Sequence, residues 1–163
     1  MLGQVVIDGL EFAHQGGRLR GTLEVGSLER LQDKLASTAG AIGYSLHGVH
    51  NPRGRPMLRL AVTGTLQLRC QRCLGPLPYS VNVTSELLLF RDEAEFADLA
   101  DELAENVDGI VAQPVMGVAA MVEDEIILSL PYAPRHPQGE CTAVRASETA
   151  NVSPLAALAR LRK

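Results

Sequence analysis

Aromatic residues are scarce in this chain of 163 residues: tryptophan is absent, and aromatic side chains make up 4% of the total. Proteins that bind single-stranded nucleic acid without sequence preference stack successive bases on such side chains, so the composition disfavours this mode of binding. No apolar run reaches the ~18 residues of a membrane-spanning helix. The first eight residues lack the basic start and apolar core of a signal peptide. We therefore expect a cytoplasmic protein.

Cysteine is also rare, with three residues in the chain. An odd number argues against a disulfide framework, and a cytoplasmic redox poise keeps thiols reduced. The sequence has no glycine-rich phosphate loop, no Ser-His-Asp ordering and no paired acidic residues of the kind that support hydrolysis or group transfer. These absences favour a protein that is not an enzyme.

The net charge of −4 does not suggest a dedicated nucleic-acid binder. The charge is nevertheless uneven, because residues 92–108 hold eight acidic residues and no lysine or arginine. Basic residues gather elsewhere, at Arg53, Arg55, Arg59, Arg69, Arg72, Arg160, Arg162 and Lys163. Such patches can contact phosphate groups, or they can be ordinary solvated side chains.

Alternating apolar residues predict strands over residues 5–7, 41–49, 57–68 and 79–90, and short connections between the last three favour an antiparallel arrangement. Leu28, Leu31 and Leu35 form an apolar stripe that predicts a helix with Ser27 as its N-cap. The acidic stretch predicts a surface helix or a loop, and residues 115–130 predict a second helix that ends at Pro131. The pattern is that of an α+β domain built around an antiparallel sheet or a small open barrel, with two to three helices.

The domain organisation follows from composition. Residues 1–134 are expected to form a single α+β domain, and residues 135–153, rich in Ser, Thr and Ala, a flexible linker. Residues 154–163 carry leucines at helical spacing and predict a short C-terminal helix or docking tail, with Ser153 as N-cap and Pro154 as first helical residue.

Cys70 and Cys73 lie at the tip of the predicted hairpin, three residues apart. With His136 and Cys141 they make a Cys3His set, which is a ligand set of structural zinc sites. The set has two alternatives. Three reduced cysteines can be partly buried without a metal. A redox CxxC usually opens a helix, however, and here residues 75–78 contain two prolines instead.

Three other groups of residues are candidates for function. Arg69 and Arg72 beside the cysteines are the first candidates for phosphate contacts if RNA is bound, or they are solvated residues of the tip. Residues 123–125 are acidic, but three adjacent positions point in different directions around a helix, so we expect a solvated face. Glu125 lies nearest the apolar stripe, and a buried carboxylate there would need a partner. His14, His47 and His50 show no spacing that predicts a ligand set.

The CxxC after a strand, the acidic middle, residues 121–131, His136, Cys141 and residues 153–163 occur in an order that resembles the bacterial YceD family. The resemblance covers nearly the whole chain. Members of this family are described as large ribosomal RNA subunit accumulation proteins. The resemblance implies a non-catalytic role in accumulation or processing of large-subunit (23S) ribosomal RNA, and hence in ribosome biogenesis.

The expected partners are this RNA or a precursor ribosome, a ribosomal protein or an RNA-processing enzyme, without DNA or a membrane. Cys70 and Cys73, with His136 and Cys141, would be structural zinc ligands, and the arginines at the tip and in the tail would be contact residues. An alternative function is that of an adaptor, in which the acidic stretch and the C-terminal tail bind a basic ribosomal or RNA-processing protein. A thiol enzyme is a third function class; replacing Cys70 and Cys73 by Ser would then abolish its activity without unfolding the chain.

Overall fold

An open six-stranded sheet forms the centre of the computed structural model, which describes residues 5–99 and 107–141. Its strands are β2 (Arg18–Glu24), β3 (Leu35–Ser37), β4 (Ala41–His50), β5 (Pro56–Arg69), β6 (Pro76–Phe90) and β7 (Val107–Val111). The order is β2-β4-β5-β6-β7, with β3 also paired to β5. A separate two-stranded sheet joins β1 (Val6–Ile7) to β8 (Met116–Gly117). The α+β prediction is thereby confirmed, and the sheet is not a closed barrel.

Three α-helices are described: α1 (Gly9–His14), α2 (Glu93–Leu99) and α3 (Val118–Ser129). Asp8 caps α1 by accepting a hydrogen bond from the backbone N–H of Glu11 at 2.9 Å. Helix α3 begins three residues later than predicted, because β8 occupies Met116–Gly117, and Pro131 follows its C-cap residue Leu130. Helix α2 confirms a surface helix in the first half of the acidic stretch.

The prediction of an α-helix over residues 28–35 is wrong. The chain forms two 3₁₀ helices, Val25–Ser27 and Glu29–Lys34, and Leu35 already belongs to β3. Ser27 is not an N-cap of this segment, because its hydroxyl donates back to the carbonyl of Glu24 at 2.7 Å. Leu28 and Leu31 are nevertheless buried. Their spacing of three suits a 3₁₀ helix, which has three residues per turn, as well as it suits an α-helix.

The core lies on one face of the sheet. Alternate residues of β5 are completely buried: Leu58, Leu60, Val62, Leu66 and Leu68. Helix α3 contributes Val118, Val122 and Ile126 to the same core. Helix α1 packs on β4 at Gly48, where a Cβ would lie 2.3 Å from the carbonyl oxygen of Phe12. The glycine therefore permits an approach between helix and strand that no larger residue allows.

A smaller apolar cluster holds α2 on the far side of the sheet. Phe90 of β6 is fully buried, and its ring meets that of Phe96 edge to face with centroids 5.1 Å apart. Strand β7 then runs parallel to β6, which the sequence did not predict. The chain between α2 and β7 lies outside the described residues.

Candidate metal centre

The tip of the β5–β6 hairpin is a tight turn that carries both cysteines of the CxxC. The backbone N–H of Cys70 donates to the carbonyl of Gly75 at 2.9 Å, and that of Leu74 donates to the carbonyl of Cys70 at 2.9 Å. Leu74 has a φ of 61°, an unusual conformation for a residue with a side chain. The backbone N–H of Arg72 points at the Cys70 sulfur, 3.4 Å away. The turn therefore places a backbone N–H group beside the Cys70 thiol, at the same tip that carries Cys73.

The segment after α3 passes across this tip. Its path is fixed by a hydrogen bond of 2.8 Å from the backbone N–H of Gln71 to the carbonyl of Pro134. His136 and Cys141 follow, so the fold brings together the two halves of the predicted ligand set. One ligand atom from each of Cys70, Cys73, His136 and Cys141 lies within 4.8 Å of the others. These four residues could hold one metal ion.

Three of the six separations between these atoms are close to those around a tetrahedral ion. With Zn–S bonds of about 2.3 Å and Zn–N bonds of about 2.0 Å, tetrahedral geometry places two sulfurs about 3.8 Å apart and a sulfur and nitrogen about 3.5 Å apart. The sulfurs of Cys70 and Cys141 are 3.8 Å apart. The Nδ1 atom of His136 lies 3.4 Å from the Cys73 sulfur and 3.7 Å from the Cys141 sulfur.

The imidazole of His136 is oriented by a second hydrogen bond. Its Nε2 atom lies 2.9 Å from the carbonyl oxygen of Pro76. A carbonyl oxygen only accepts, so Nε2 is the donor of this bond, and in the neutral ring the lone pair of Nδ1 then lies on the side of the Cys73 and Cys141 sulfurs. Metal-binding histidines are held in this way by a backbone carbonyl or a carboxylate. The tautomer is thus the one that a metal ligand requires.

The thiols differ in their readiness to ionise. Burial opposes ionisation of Cys70, but backbone N–H groups of Cys73, His136 and Arg72 stabilise its thiolate and lower its pKa to about 5. Burial raises the pKa of Cys141, and hydrogen bonds and charge from Cys70 and Cys73 raise it further. Ligands must be deprotonated to bind a metal, and a cation placed between the sulfurs would remove their mutual repulsion. All three cysteines are free.

The basic residues predicted beside the site lie at the tip. Arg72 is exposed, and its Nη1 atom is 3.9 Å from the Cys141 sulfur. Arg69 reaches in the other direction and donates to the carbonyl of Leu35 at 3.2 Å. The sequence did not point to Tyr132, which is fully exposed and lines a cleft of about 500 Å³ together with Lys34 and Gln71. A single exposed aromatic residue forms no periodic pattern, so its position at the surface could not be predicted from the sequence.

Two of the other predicted contact residues, Arg53 and Arg55, are not at this site. Arg53 and Arg55 lie in the turn between β4 and β5, at the opposite end of β5. Arg160, Arg162 and Lys163 lie outside the described residues, as do most of the predicted linker and the whole predicted C-terminal helix.

The expectation of a solvated acidic face on α3 is wrong for two of its three residues, since Glu123 and Glu125 are buried. Glu123 accepts from the backbone N–H of Arg30 at 2.7 Å and from its Nε at 2.9 Å, and Asp124 accepts from the same guanidinium at 2.6 Å. The hydroxyl of Ser85 donates to Glu125. These carboxylates therefore join α3 to the 3₁₀ segment and to β6.

Two of the three remaining histidines form a pair that the sequence did not indicate. The Nε2 of His50 lies 3.3 Å from the Nδ1 of His14, which joins the end of β4 to the end of α1. The pair brings no third ligand with it among the described residues, so it is not a metal site. His47 lies on β4, opposite Arg18 of β2 and Arg59 of β5.

Within the described part of the chain, no helix is both long and apolar enough to cross a membrane. No solved structure matches the chain. Residues 58–162 match the family described as large ribosomal RNA subunit accumulation protein YceD. The match covers about two-thirds of the sequence and includes all four residues of the Cys3His set. The chain therefore belongs to the YceD family of large ribosomal RNA subunit accumulation proteins.

Proposed function

We propose that this protein is a non-enzymatic ribosome biogenesis factor that supports the accumulation or processing of large-subunit (23S) ribosomal RNA. The observation that carries the proposal is the position of the Cys3His set: all four residues fall inside the family match. Four protein ligands would leave no open position on a tetrahedral ion, which is typical of a structural centre rather than a catalytic one. This role would place the chain in the cytoplasm.

The metal that we assign to the centre is zinc. Three thiolates and one imidazole are donors that zinc prefers, and a tetrahedral S₃N set with no open position serves structure. When bound, zinc would fix the hairpin tip to the segment after α3. Two hydrogen bonds of the chain would hold the ligands in place: the carbonyl of Pro76 orients His136, and the backbone N–H of Arg72 stabilises the Cys70 thiolate.

The tip of the β5–β6 hairpin, held in place by the metal, would form the contact surface for RNA. Arg72 and Arg69 supply guanidinium groups, which suit phosphate oxygens. Lys34 and the exposed ring of Tyr132 border the neighbouring cleft, which Gln71 of the tip and Asp33 also line, so one base could stack there beside the phosphate contacts of the tip. We keep Arg53, Arg55, Arg160, Arg162 and Lys163 as further proposed contacts.

The function is tested by genetic complementation. In a strain that lacks the gene, sucrose gradients should show fewer large subunits, and gel analysis should show less mature large-subunit RNA. The wild-type gene should restore both, the Cys70→Ser/Cys73→Ser variant should not, and Gln71→Ala, which keeps both thiols at the same tip, should. Unchanged large subunits and unchanged large-subunit RNA in the deletion strain would contradict the proposal.

The metal is tested by elemental mass spectrometry on protein purified without a metal-affinity tag. One zinc per chain is expected for the wild type and for Gln71→Ala, and less than a tenth of this for Cys70→Ser/Cys73→Ser. Folded, reduced wild-type protein without zinc would leave the cysteines as packing residues. Loss of Cys70 and Cys73 that removes an enzymatic activity while the fold persists would instead favour thiol chemistry.

A second candidate function is that of a protein adaptor, and one groove favours it. The groove between α3 and β7 measures about 520 Å³ and is lined by apolar residues such as Ile110 and Met121. Its charged lining is acidic at Asp108, Asp124 and Glu125 and basic at Arg30, which pairs with Asp124. An apolar, acidic groove suits a basic amphipathic segment of a ribosomal protein. Cross-linking in cells that recovers RNA but no protein partner would exclude this candidate.

A further inference from the structure

The groove between α3 and β7 exposes apolar side chains near both ends of the helix. Val115, which precedes β8, has an exposed fraction of 66%, and Leu128, in the last turn of α3, has one of 76%. Ile110, Met121 and Ile127 line the groove as well and are partly buried. Contiguous apolar surface that is open to water marks a site of interaction. The groove is therefore suited to an apolar segment that would cover it.

The charged groups of the groove favour a basic occupant. Three carboxylates line it against one guanidinium: Asp108, Asp124 and Glu125 against Arg30. That guanidinium is shared, because it bonds to Glu123 as well as to Asp124. Residues 100–106, which precede β7 and lie outside the described residues, contain three acidic residues and no basic one, so they bring no positive charge to the groove. The groove is therefore acidic as well as apolar.

Residues 153–163 of the same chain carry the complementary pattern. Their leucines recur every third residue, at Leu155, Leu158 and Leu161. Their charged residues are all basic: Arg160, Arg162 and Lys163. A segment with apolar anchors at such a spacing is the kind of ligand that lies in an apolar groove. This segment, which is outside the described residues, thus has in its sequence both the anchors and the charge that the groove would bind.

The connecting chain is long enough to bring this segment to the groove. Cys141, the last described residue, lies at the hairpin tip beside Cys70. Ile127 lines both the groove and the cleft beside the tip, so the C-terminal end of α3 is close to each. The 11 residues from 142 to 152 can extend over about 36 Å. Helix α3, with 12 residues, is about 18 Å long. The link therefore reaches any point along the groove.

We propose that residues 153–163 bind in the groove between α3 and β7 of their own chain, with the leucines on the apolar wall and the basic residues toward the carboxylates. A short link gives such a segment a local concentration on the order of mM, so a weak interaction is enough to keep the groove occupied. A basic amphipathic segment of another protein would have to displace it. The segment would thus control access to the groove, whether or not the chain acts on ribosomal RNA.

The first test measures whether the groove is occupied by its own chain. A fluorescein-labelled peptide of residues 153–163 is titrated into full-length wild type and into full-length Leu158→Asp/Leu161→Asp, whose own segment has lost two apolar anchors, and binding is followed by fluorescence anisotropy. We expect the variant to bind the peptide about tenfold more tightly or better, because the groove of the wild type is already filled. Equal affinity for the two proteins, or no binding to either, would overturn the proposal.

A matched pair of variants separates the groove from net charge. Asp108→Lys, added to the double variant, reverses the charge of an exposed residue of the groove, and we expect it to weaken peptide binding about fivefold. Glu24→Lys makes the same change at an exposed position of the edge strand β2 and should leave the affinity unchanged. An equal loss in both would show an effect of net charge only and would overturn the groove as the binding site.

A photo-cross-link identifies the occupant directly. A p-benzoylphenylalanine in place of Leu158 of the full-length protein should cross-link to residues 107–128 of the same chain, and the same group in place of Ala156, outside the leucine pattern, should do so much less. Equal products from both positions, or products elsewhere in the fold, would overturn the groove.

Irradiation of mixed nitrogen-15-labelled and unlabelled protein tests whether the contact is within one chain. Products that join a labelled chain to an unlabelled one would assign the groove to the segment of a second copy and overturn the proposal. The proposed function has a separate readout in cells: normal ribosomal RNA in the deletion strain would contradict that function and would leave the occupancy of the groove unaffected.

Discussion

The Sγ atom of Cys73 and the Nδ1 atom of His136 lie 3.4 Å apart, although 63 positions separate them in the chain. The contact joins the tip of the longest hairpin to the segment that follows the last described helix. Apart from contacts among the four ligand residues, few hydrogen bonds hold the described part of that segment: one from the backbone N–H of Gln71, one from the His136 ring to Pro76 and a long one from Arg72 to the Cys141 sulfur. A metal bound between these atoms would therefore stabilise a connection that the protein otherwise makes weakly.

Removal of the metal is the first test of that connection. Treatment of the zinc-loaded protein with a chelator should lower its melting temperature, because free energy of metal binding adds to that of folding. Hydrogen exchange should rise mainly over residues 131–141 and at the hairpin tip, and little in β4 or α1. The measurement is hydrogen–deuterium exchange with mass spectrometry before and after chelation.

A variant pair controls this experiment. His136→Ala should reproduce the faster exchange without a chelator, whereas Glu140→Ala in the same segment should not, since Glu140 is exposed and is not part of the ligand set. Equal exchange in chelated and loaded protein would show that no metal holds the segment.

The ligand set was predictable from the sequence because its chemistry is rare. Three cysteines and a nearby histidine leave few combinations, and the CxxC half has the spacing that zinc requires. The juxtaposition of the two halves was not predictable, because it depends on where α3 ends relative to β5. The basic lining of the pocket beside the β4–β5 turn was only partly predictable: Arg53 and Arg55 form a cluster in the sequence, whereas Arg91 and His14 come from distant elements and share no pattern with them.

The sheet was predictable where burial is one-sided. Alternation in β4, β5 and β6 marks one buried and one exposed face, and turn residues mark their ends. Two features of the fold were not predicted from the sequence. Strand β7 is short and parallel to β6, and its residues show no strict alternation. The burial of Glu123 and Glu125 depends on partners, Arg30 and Ser85, that lie 93 and 40 positions away.

Gly48 provides a test of the packing of α1. Gly48→Ala would place a Cβ 2.3 Å from the Phe12 carbonyl oxygen and 2.7 Å from the Cα of Ala13, so the helix must move. We expect a loss of about 1–3 kcal/mol in the free energy of unfolding, the usual cost of overpacking, measured by urea denaturation. Gly43→Ala in the same strand is the control, since its Cβ would meet only ordinary contacts at 3.5 Å or more. Equal stability of the two variants would contradict the close approach.

Glu123 tests the link between α3 and the 3₁₀ segment. Glu123→Ala leaves the backbone N–H of Arg30 without its 2.7 Å acceptor, and a part-buried donor that loses its partner costs about 1–3 kcal/mol. Glu123→Gln keeps an oxygen acceptor in the same place and should lose less. Denaturation of both variants measures the difference, with Glu29→Ala, an exposed acidic residue of the same segment, as the control. A loss as large for Glu123→Gln as for Glu123→Ala would assign the effect to charge alone.

Glu95 gives the stability of the chain a dependence on pH. The backbone N–H of Arg91, then its guanidinium, lowers the pKa of this carboxyl below its usual value, against an opposing effect of burial and with help from the charge of Arg55. A carboxyl whose pKa is lowered by folding stabilises the folded state above its unfolded pKa, about 4.3. That contribution is lost as the pH falls through the folded pKa.

Urea denaturation at pH 7, 5 and 3 should therefore show the largest stability difference between wild type and Glu95→Gln at pH 7, and the smallest at pH 3. Glu93→Gln removes one negative charge from an exposed position of the same helix and serves as the control. If the difference for Glu95→Gln stays constant over this range, the carboxylate acts by shape rather than by charge. The charge of Glu95 would then not be what holds Arg55 and Arg91.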